Sequence, residues 1–158
     1  MPTNHSIKDF YPLIGIFVVV SLLTFVSGLV FSLPLMTSFM GWFFVVFGSL
    51  KILKLKDFAI AYREYDVVAM KSKAYAHVYP FLELAFGLAY LFQFYLTVTN
   101  VVVIVVMLVS AYGVYLKLKK KEEIPCACLG TVFKIPMTWV TLGEDLLMAV
   151  MAGVMIFS

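Results

Sequence analysis

The stretch YPLIGIFVVVSLLTFVSGLVFSL, Tyr11 to Leu33, contains no charged residue. A helix needs about 20 consecutive apolar residues to cross the hydrocarbon core of a bilayer. Inside that core every backbone polar group must be satisfied within the protein, which restricts a spanning segment to a helix or a strand of a closed barrel. A run of this length and apolarity therefore predicts a transmembrane helix, here ended by Pro34. It is too long for the core of a signal peptide, about 7–15 residues, and no small-x-small cleavage site follows it, so it reads as a retained first span.

The pattern recurs. A second span is expected from about Met36 to Leu53, with Lys51 as its single charge, and a third from about Tyr79 to Leu96, with Glu83 in its first turn. Asn100 is taken to mark a turn, beside a fourth span from about Val98 to Leu116, and a short fifth runs from about Thr141 to the end. Composition agrees: 63% of the residues are hydrophobic and the mean hydropathy is +1.02, where soluble domains are nearer half apolar. The expected fold class is an all-α integral membrane protein, a bundle of about five transmembrane helices plus an interfacial amphipathic helix. The 158 residues form a single membrane domain, with no room for a second folded unit. There is no Gly-rich phosphate loop, repeat, low-complexity tract or nucleic-acid signature. The lipid bilayer is the expected partner and nucleic acid is not.

Charge placement predicts orientation. Lys8 precedes the first span. Lys51, Lys54, Lys56, Arg63, Lys71 and Lys73 lie around the second connection, and Lys117, Lys119, Lys120, Lys121 and Lys134 around the fourth. Together these are all twelve cations, and five spans put all three places on one side. The nine acidic residues fall on that side too. The positive-inside rule then expects a multi-pass membrane protein with its N-terminus in the cytoplasm and its C-terminus outside. Between Lys54 and His77, Phe58, Tyr62, Tyr65 and Ala69 recur at spacings of three and four among charges. That pattern predicts an amphipathic helix lying in the interface, with Tyr75 and Tyr79 in the aromatic belt. A partner-docking surface is the sharper alternative. His5 and His77 read as isolated.

The only two cysteines are Cys126 and Cys128, in IPCACLGTVFKIP. They fall on the lysine-rich side, in a loop too apolar to be freely solvated, which is expected to pack against the helices or re-enter the bilayer. A reducing cytoplasm argues against a permanent disulfide. Two residues apart in an extended chain are near the upper limit for bridging, roughly 6.8 Å between Cα atoms, so closure needs a tight turn that Pro125 and Gly130 favour. A strained bond of that kind is labile and suits a carrier. Soft-metal binding is the other chemistry, because thiolates select Cu(I). Two small apolar residues packed in a loop is the third reading.

Met148, Met151 and Met155 share one face of the last span, as candidate Cu(I) ligands or, more simply, as packing residues. Met36 and Met40 pair at the other end. Glu144 and Asp145 are expected at the N-terminus of the last helix, where Thr141-x-x-Glu144 has capping-box spacing; a proton or cation partner for the thiols is the sharper alternative. Lys51 and Glu83 lie at the same end of neighbouring spans, where pairing would ease the cost of buried charge.

In that order, FGSLKILKLKDFAIAYREYD, YPFLELAFG, IPCACLGT and MTWVTLGEDLLMAVMA resemble the MauE/DoxX superfamily of small bacterial membrane proteins. Phe47, Gly48 and Lys51, then Pro80, Glu83 and Gly87, then Cys126-x-Cys128-Leu129-Gly130 carry the resemblance, over about residues 36–157, leaving the first span outside. Ala127 and Leu129 stand where MauE proteins commonly have Gly and Phe. The resemblance implies redox-associated work. MauE is linked to maturation of the disulfide-rich subunit of methylamine dehydrogenase, and DoxX to quinone-coupled sulfur oxidation, which makes quinone a candidate cofactor. The C-A-C-L-G variant resembles members found with heavy-metal-associated domains, which implies metal handling. The expected function is a disulfide or electron relay, or maturation of a partner, through Cys126 and Cys128. The alternatives are Cu(I) or other soft-metal transfer to a carrier protein, and a structural subunit of a membrane enzyme.

Overall fold

The computed structural model describes residues 7–122, 125–126, 135–136 and 139–158. A short 3-10 turn, Ile7–Phe10, leads into α1, Tyr11–Phe31. Pro12 fits the first turn because its missing N–H would have had no partner there. Ser32, left-handed at φ 53°, ends α1 ahead of Leu33-Pro34. The remaining elements are α2 (Leu35–Leu53), α3 (Leu55–Tyr62), α4 (Lys73–Leu91), α5 (Leu96–Lys119), β1 (Pro125–Cys126), β2 (Ile135–Pro136) and α6 (Trp139–Phe157).

Four helices, α1, α2, α5 and α6, are long and apolar enough to cross a membrane. α4 has the same 19 residues as α2 but carries Lys73, His77, Glu83 and three tyrosines. Tyr79, Glu83 and Tyr90 are buried by packing, Lys73 is exposed at the helix start, and the main neighbour of α4 is α2. A Cβ placed on Gly87 would sit 2.8 Å from the Gly41 carbonyl oxygen, and one on Gly48 would sit 3.1 Å from that of Pro80. These small residues let the backbones nearly touch. Residue numbers rise along α2 as they fall along α4, so α4 runs antiparallel beside α2 at the same depth. The bundle therefore has five long helices, the polar one sheltered by its neighbours. α5 and α6 form the second closely packed pair, and α1 lies on α2.

The middle is aromatic. Phe43 and Phe47 stack with centroids 4.1 Å apart, and Phe44 meets Phe86 and Tyr90. α1 turns Val18, Leu22, Phe25 and Leu29 outward, as a lipid-facing helix does.

Three expectations are corrected. The third span lies several residues earlier than Tyr79–Leu96, because Ser72 caps its start by accepting from the Tyr75 N–H at 3.2 Å and the chain turns at 92–95, where Gln93 and Tyr95 adopt positive φ. Asn100 marks no turn; it is buried in α5, where its Oδ1 accepts from the Tyr90 hydroxyl at 2.7 Å. The amphipathic helix is only α3, eight residues long. Beyond it Tyr65 and Ala69 lie in turns, and with Phe58 and Tyr62 they are buried against the bundle. Tyr79 is likewise buried, facing protein. The three-and-four spacing registered burial correctly but misplaced what the face is buried against.

Candidate functional site

In the last turn of α2, Lys51 points inward and is 5% exposed. Its Nζ donates to both carboxylate oxygens of Glu83, at 2.6 and 2.7 Å. Glu83 is 3% exposed and lies about three turns into α4 from its start at Lys73. A buried charge is tolerated only when paired and hydrogen-bonded. Here the ammonium is also flanked by rings, 5.6 Å from the Phe58 centroid and 5.2 Å from that of Tyr79, which adds cation–π attraction.

The cover over this pair is α3 and the turn after it. Phe58 stacks on Tyr62 at 5.1 Å, and Tyr62 lies 4.5 Å from Tyr79, centroid to centroid. Asp66, fully buried, accepts from the Tyr62 hydroxyl at 2.8 Å and from the N–H groups of Val68 and Ala69 at 2.9 Å each. Burial, then neighbouring Tyr79 and Asp66, push the Tyr62 hydroxyl well above its ordinary pKa of 10.0, so it stays a donor at any physiological pH. The cover is seated on α5 at Gly113, where any Cβ would collide with the Tyr65 carbonyl oxygen.

From the other side α6 contributes Glu144 and Asp145. Neither caps the helix, because α6 already begins at Trp139. Asp145 accepts from Ser110 Oγ of α5 at 2.9 Å. Glu144 is buried, at 8% exposure. These residues, with Lys51, Glu83 and Thr141, surround a small cavity of about 30 Å³ roofed by Tyr62, Tyr65 and Tyr79. Helices far apart in sequence thus bring one ammonium, three carboxylates and several hydroxyls together. Asp66 and Ser110 were missed in the sequence, although a lone serine in VVVIVVMLVSAYG was a usable signal, since polar groups inside spans have partners.

Cys126 is described as backbone: β1 pairs antiparallel with β2, Cys126 opposite Ile135 and Pro125 opposite Pro136. β1 lies against α3, and β2 against the 3-10 turn before α1. Cys128 and Gly130 lie outside the described residues, as does Lys134. The cysteine segment is therefore tied, through β1, to the helix that covers the ion pair. Met148 is fully buried in the core, with Met151 and Met155 packed against it, and Met155 Sδ accepts from Thr37 Oγ1 at 3.7 Å. Among the described residues, no group of three or more His, Cys, Asp or Glu side chains could hold a metal ion. An open, largely apolar groove of about 750 Å³ separates α1 from α6, with Glu144 in its lining.

A family model described as methylamine utilisation protein MauE matches residues 29–158, from the last turn of α1 through α6. No curated protein and no solved structure matches the chain.

Proposed function

The chain belongs to the MauE family of membrane proteins, and from that premise we propose that it carries out thiol–disulfide exchange in the maturation of a partner protein, with Cys126 and Cys128 as the exchanging pair. The supporting observation is the β1–β2 pairing. It closes the cysteine segment on itself and sets Cys126 against α3 at the lysine-rich end. The family match spans both cysteines.

The exchange balances without another reactant. A thiolate of the partner attacks one sulfur of the Cys126–Cys128 disulfide, the S–S bond breaks, and a mixed disulfide forms. The partner's second thiolate then attacks that mixed bond. Two electrons and two protons end on Cys126 and Cys128 as thiols, and the partner gains a disulfide. The reverse direction runs by the same steps, and the relative reduction potentials set which one prevails. The buried Lys51–Glu83 pair and its aromatic cover are positioning elements that hold α3, and through it β1.

The lysine-rich end faces the cytoplasm of a bacterial inner membrane in this proposal, with the C-terminus outside. Labelling with a membrane-impermeant thiol reagent tests the placement. Inverted vesicles are expected to label at Cys126 or Cys128, and right-side-out vesicles are not; the opposite result overturns the orientation. Stoichiometric Cu(I) uptake that disappears in a Cys126→Ser, Cys128→Ser double variant, with no oxidised cysteine ever detected, would favour soft-metal transfer instead.

A further inference from the structure

Tyr11 and Trp139 open α1 and α6 at the lysine-rich end, and both are exposed, at 59% and 64%. Such rings mark the level of the lipid headgroups. α1 packs on α2 and α6 packs on α5, while α1 and α6 barely touch each other. The apolar groove of about 750 Å³ runs between them, from that same level inward. Leu13, Phe17 and Leu22 of α1 form one wall, and Val140, Gly143 and Leu147 of α6 the other. Gly143 keeps it wide, since a Cβ there would meet nothing within 4 Å.

Length decides what fits. Leu13 to Leu22 is about 14 Å of helix, and the hydrocarbon core of a bilayer is about 30 Å thick. The groove therefore runs from headgroup level to near the midplane, the depth of one leaflet. A partner's spanning helix would need a seat along the whole core, whereas one acyl chain needs half of it. Charge decides the headgroup. Ser110 of α5 meets Asp145 of α6 at 2.9 Å. Counted from that contact at 1.5 Å per residue, Lys119 stands about 14 Å toward the lysine-rich end and Trp139 about 9 Å. The end of α5 thus overhangs the start of α6. Lys117 closes on Glu122 at 2.7 Å, while Lys119, Lys120 and Lys121 are exposed. Lysines clustered at the end of a spanning helix attract anionic lipid.

We propose that the α1–α6 groove binds one anionic phospholipid, with an acyl chain between the two helices and its phosphate at the lysines that end α5. Glu144, also in the lining, lies more than one turn deeper than Trp139, beside the chain and away from the phosphate. The α1 wall lies outside residues 29–158, the region that the family model matches. The site does not depend on the thiol reading.

Native mass spectrometry of the full chain, released from nanodiscs of equal phosphatidylglycerol and phosphatidylcholine, reads the retained lipid. One phosphatidylglycerol per chain is expected, in preference to phosphatidylcholine. The Lys119→Gln, Lys120→Gln, Lys121→Gln variant should lower that preference by about fivefold or more. Gly143→Phe, whose ring fills the groove, should remove the lipid whatever its headgroup. The Cys126→Ser, Cys128→Ser variant should retain it unchanged, so loss of thiol chemistry leaves this result untouched. Should Gly143→Phe fail to fold, phosphatidylglycerol carrying a nitroxide midway along its chain serves the same end with the unaltered protein. Its spectrum should show an immobilised component that unlabelled phosphatidylglycerol displaces and phosphatidylcholine does not. Absence of retained lipid overturns the proposal, as does equal retention of the two lipids or lipid undiminished in a folded Gly143→Phe variant. A lipid-free dimer that Gly143→Phe separates into single chains also overturns it and gives the groove to a second copy.

Discussion

Glu83→Ala is expected to destabilise the protein by about 3–5 kcal/mol, because it leaves the Lys51 ammonium buried without its counter-charge. Lys51 and Glu83 are both nearly inaccessible, so bulk water does not take over the lost hydrogen bonds. The rings of Phe58 and Tyr79 offer only partial compensation, about 0.5–2 kcal/mol for a cation–π contact. Unfolding in mixed micelles measures the effect. The companion variant, Lys51→Met with Glu83→Met, is expected to recover most of the loss, since replacing both partners of a buried pair by apolar residues is often neutral or better. A strongly negative single variant and a mild double one identify a desolvated pair. A Glu83→Ala loss under about 0.5 kcal/mol, the usual range for an uncoupled surface change, would mean the pair is hydrated.

The second large effect is expected at Gly113. A valine there must displace the Tyr65 backbone, not a flexible side-chain tip, because the contact is to a carbonyl oxygen and Asp66 Cα lies only 3.2 Å from the same point. Overpacking typically costs about 1–3 kcal/mol and more where backbone must move. The damage should spread along a definite route. Moving residues 65–66 breaks the bonds that Asp66 accepts from Tyr62, Val68 and Ala69, and so loosens α3 over the ion pair. Hydrogen exchange should show faster exchange at the Val68 and Ala69 amides in Gly113→Val, while the α2–α4 contact at Gly41 and Gly87 stays protected. Gly143→Val, by contrast, meets open space and should leave both regions unchanged.

The spans were legible because lipid imposes a simple rule of length and apolarity, and α1, α2, α5 and α6 obey it. The third long helix was shifted because its polar first turns resemble a loop when read alone; the close fit of its later turns, Pro80 to Gly87, against Gly48 and Gly41 of α2 is not encoded in that stretch. Lys51 and Glu83 stood out as charges within apolar runs, and their meeting follows from two adjacent antiparallel helices. Asp145 and Ser110 could not be joined in the same way, since their pairing depends on the rotation of α5 against α6, which a periodic apolar pattern does not encode. Glu144 and Asp145 looked like caps because acidic residues near a helix start usually are; Trp139 begins the helix earlier and turns them inward. The tyrosines beyond Lys54 carried a true signal of burial, but amphipathicity by itself does not tell lipid from protein as the partner of an apolar face.

The central claim is that Cys126 and Cys128 exchange between dithiol and disulfide. The most direct measurement is their redox state in growing cells, read by acid quenching followed by mass-tagging of free thiols. The account predicts a mixture of reduced and oxidised chain. A Cys128→Ser or Cys126→Ser variant should accumulate a mixed disulfide with a partner, because the second thiol that resolves it is missing. A pair found fully reduced under every condition of electron supply, with no mixed disulfide in either single variant, would contradict it.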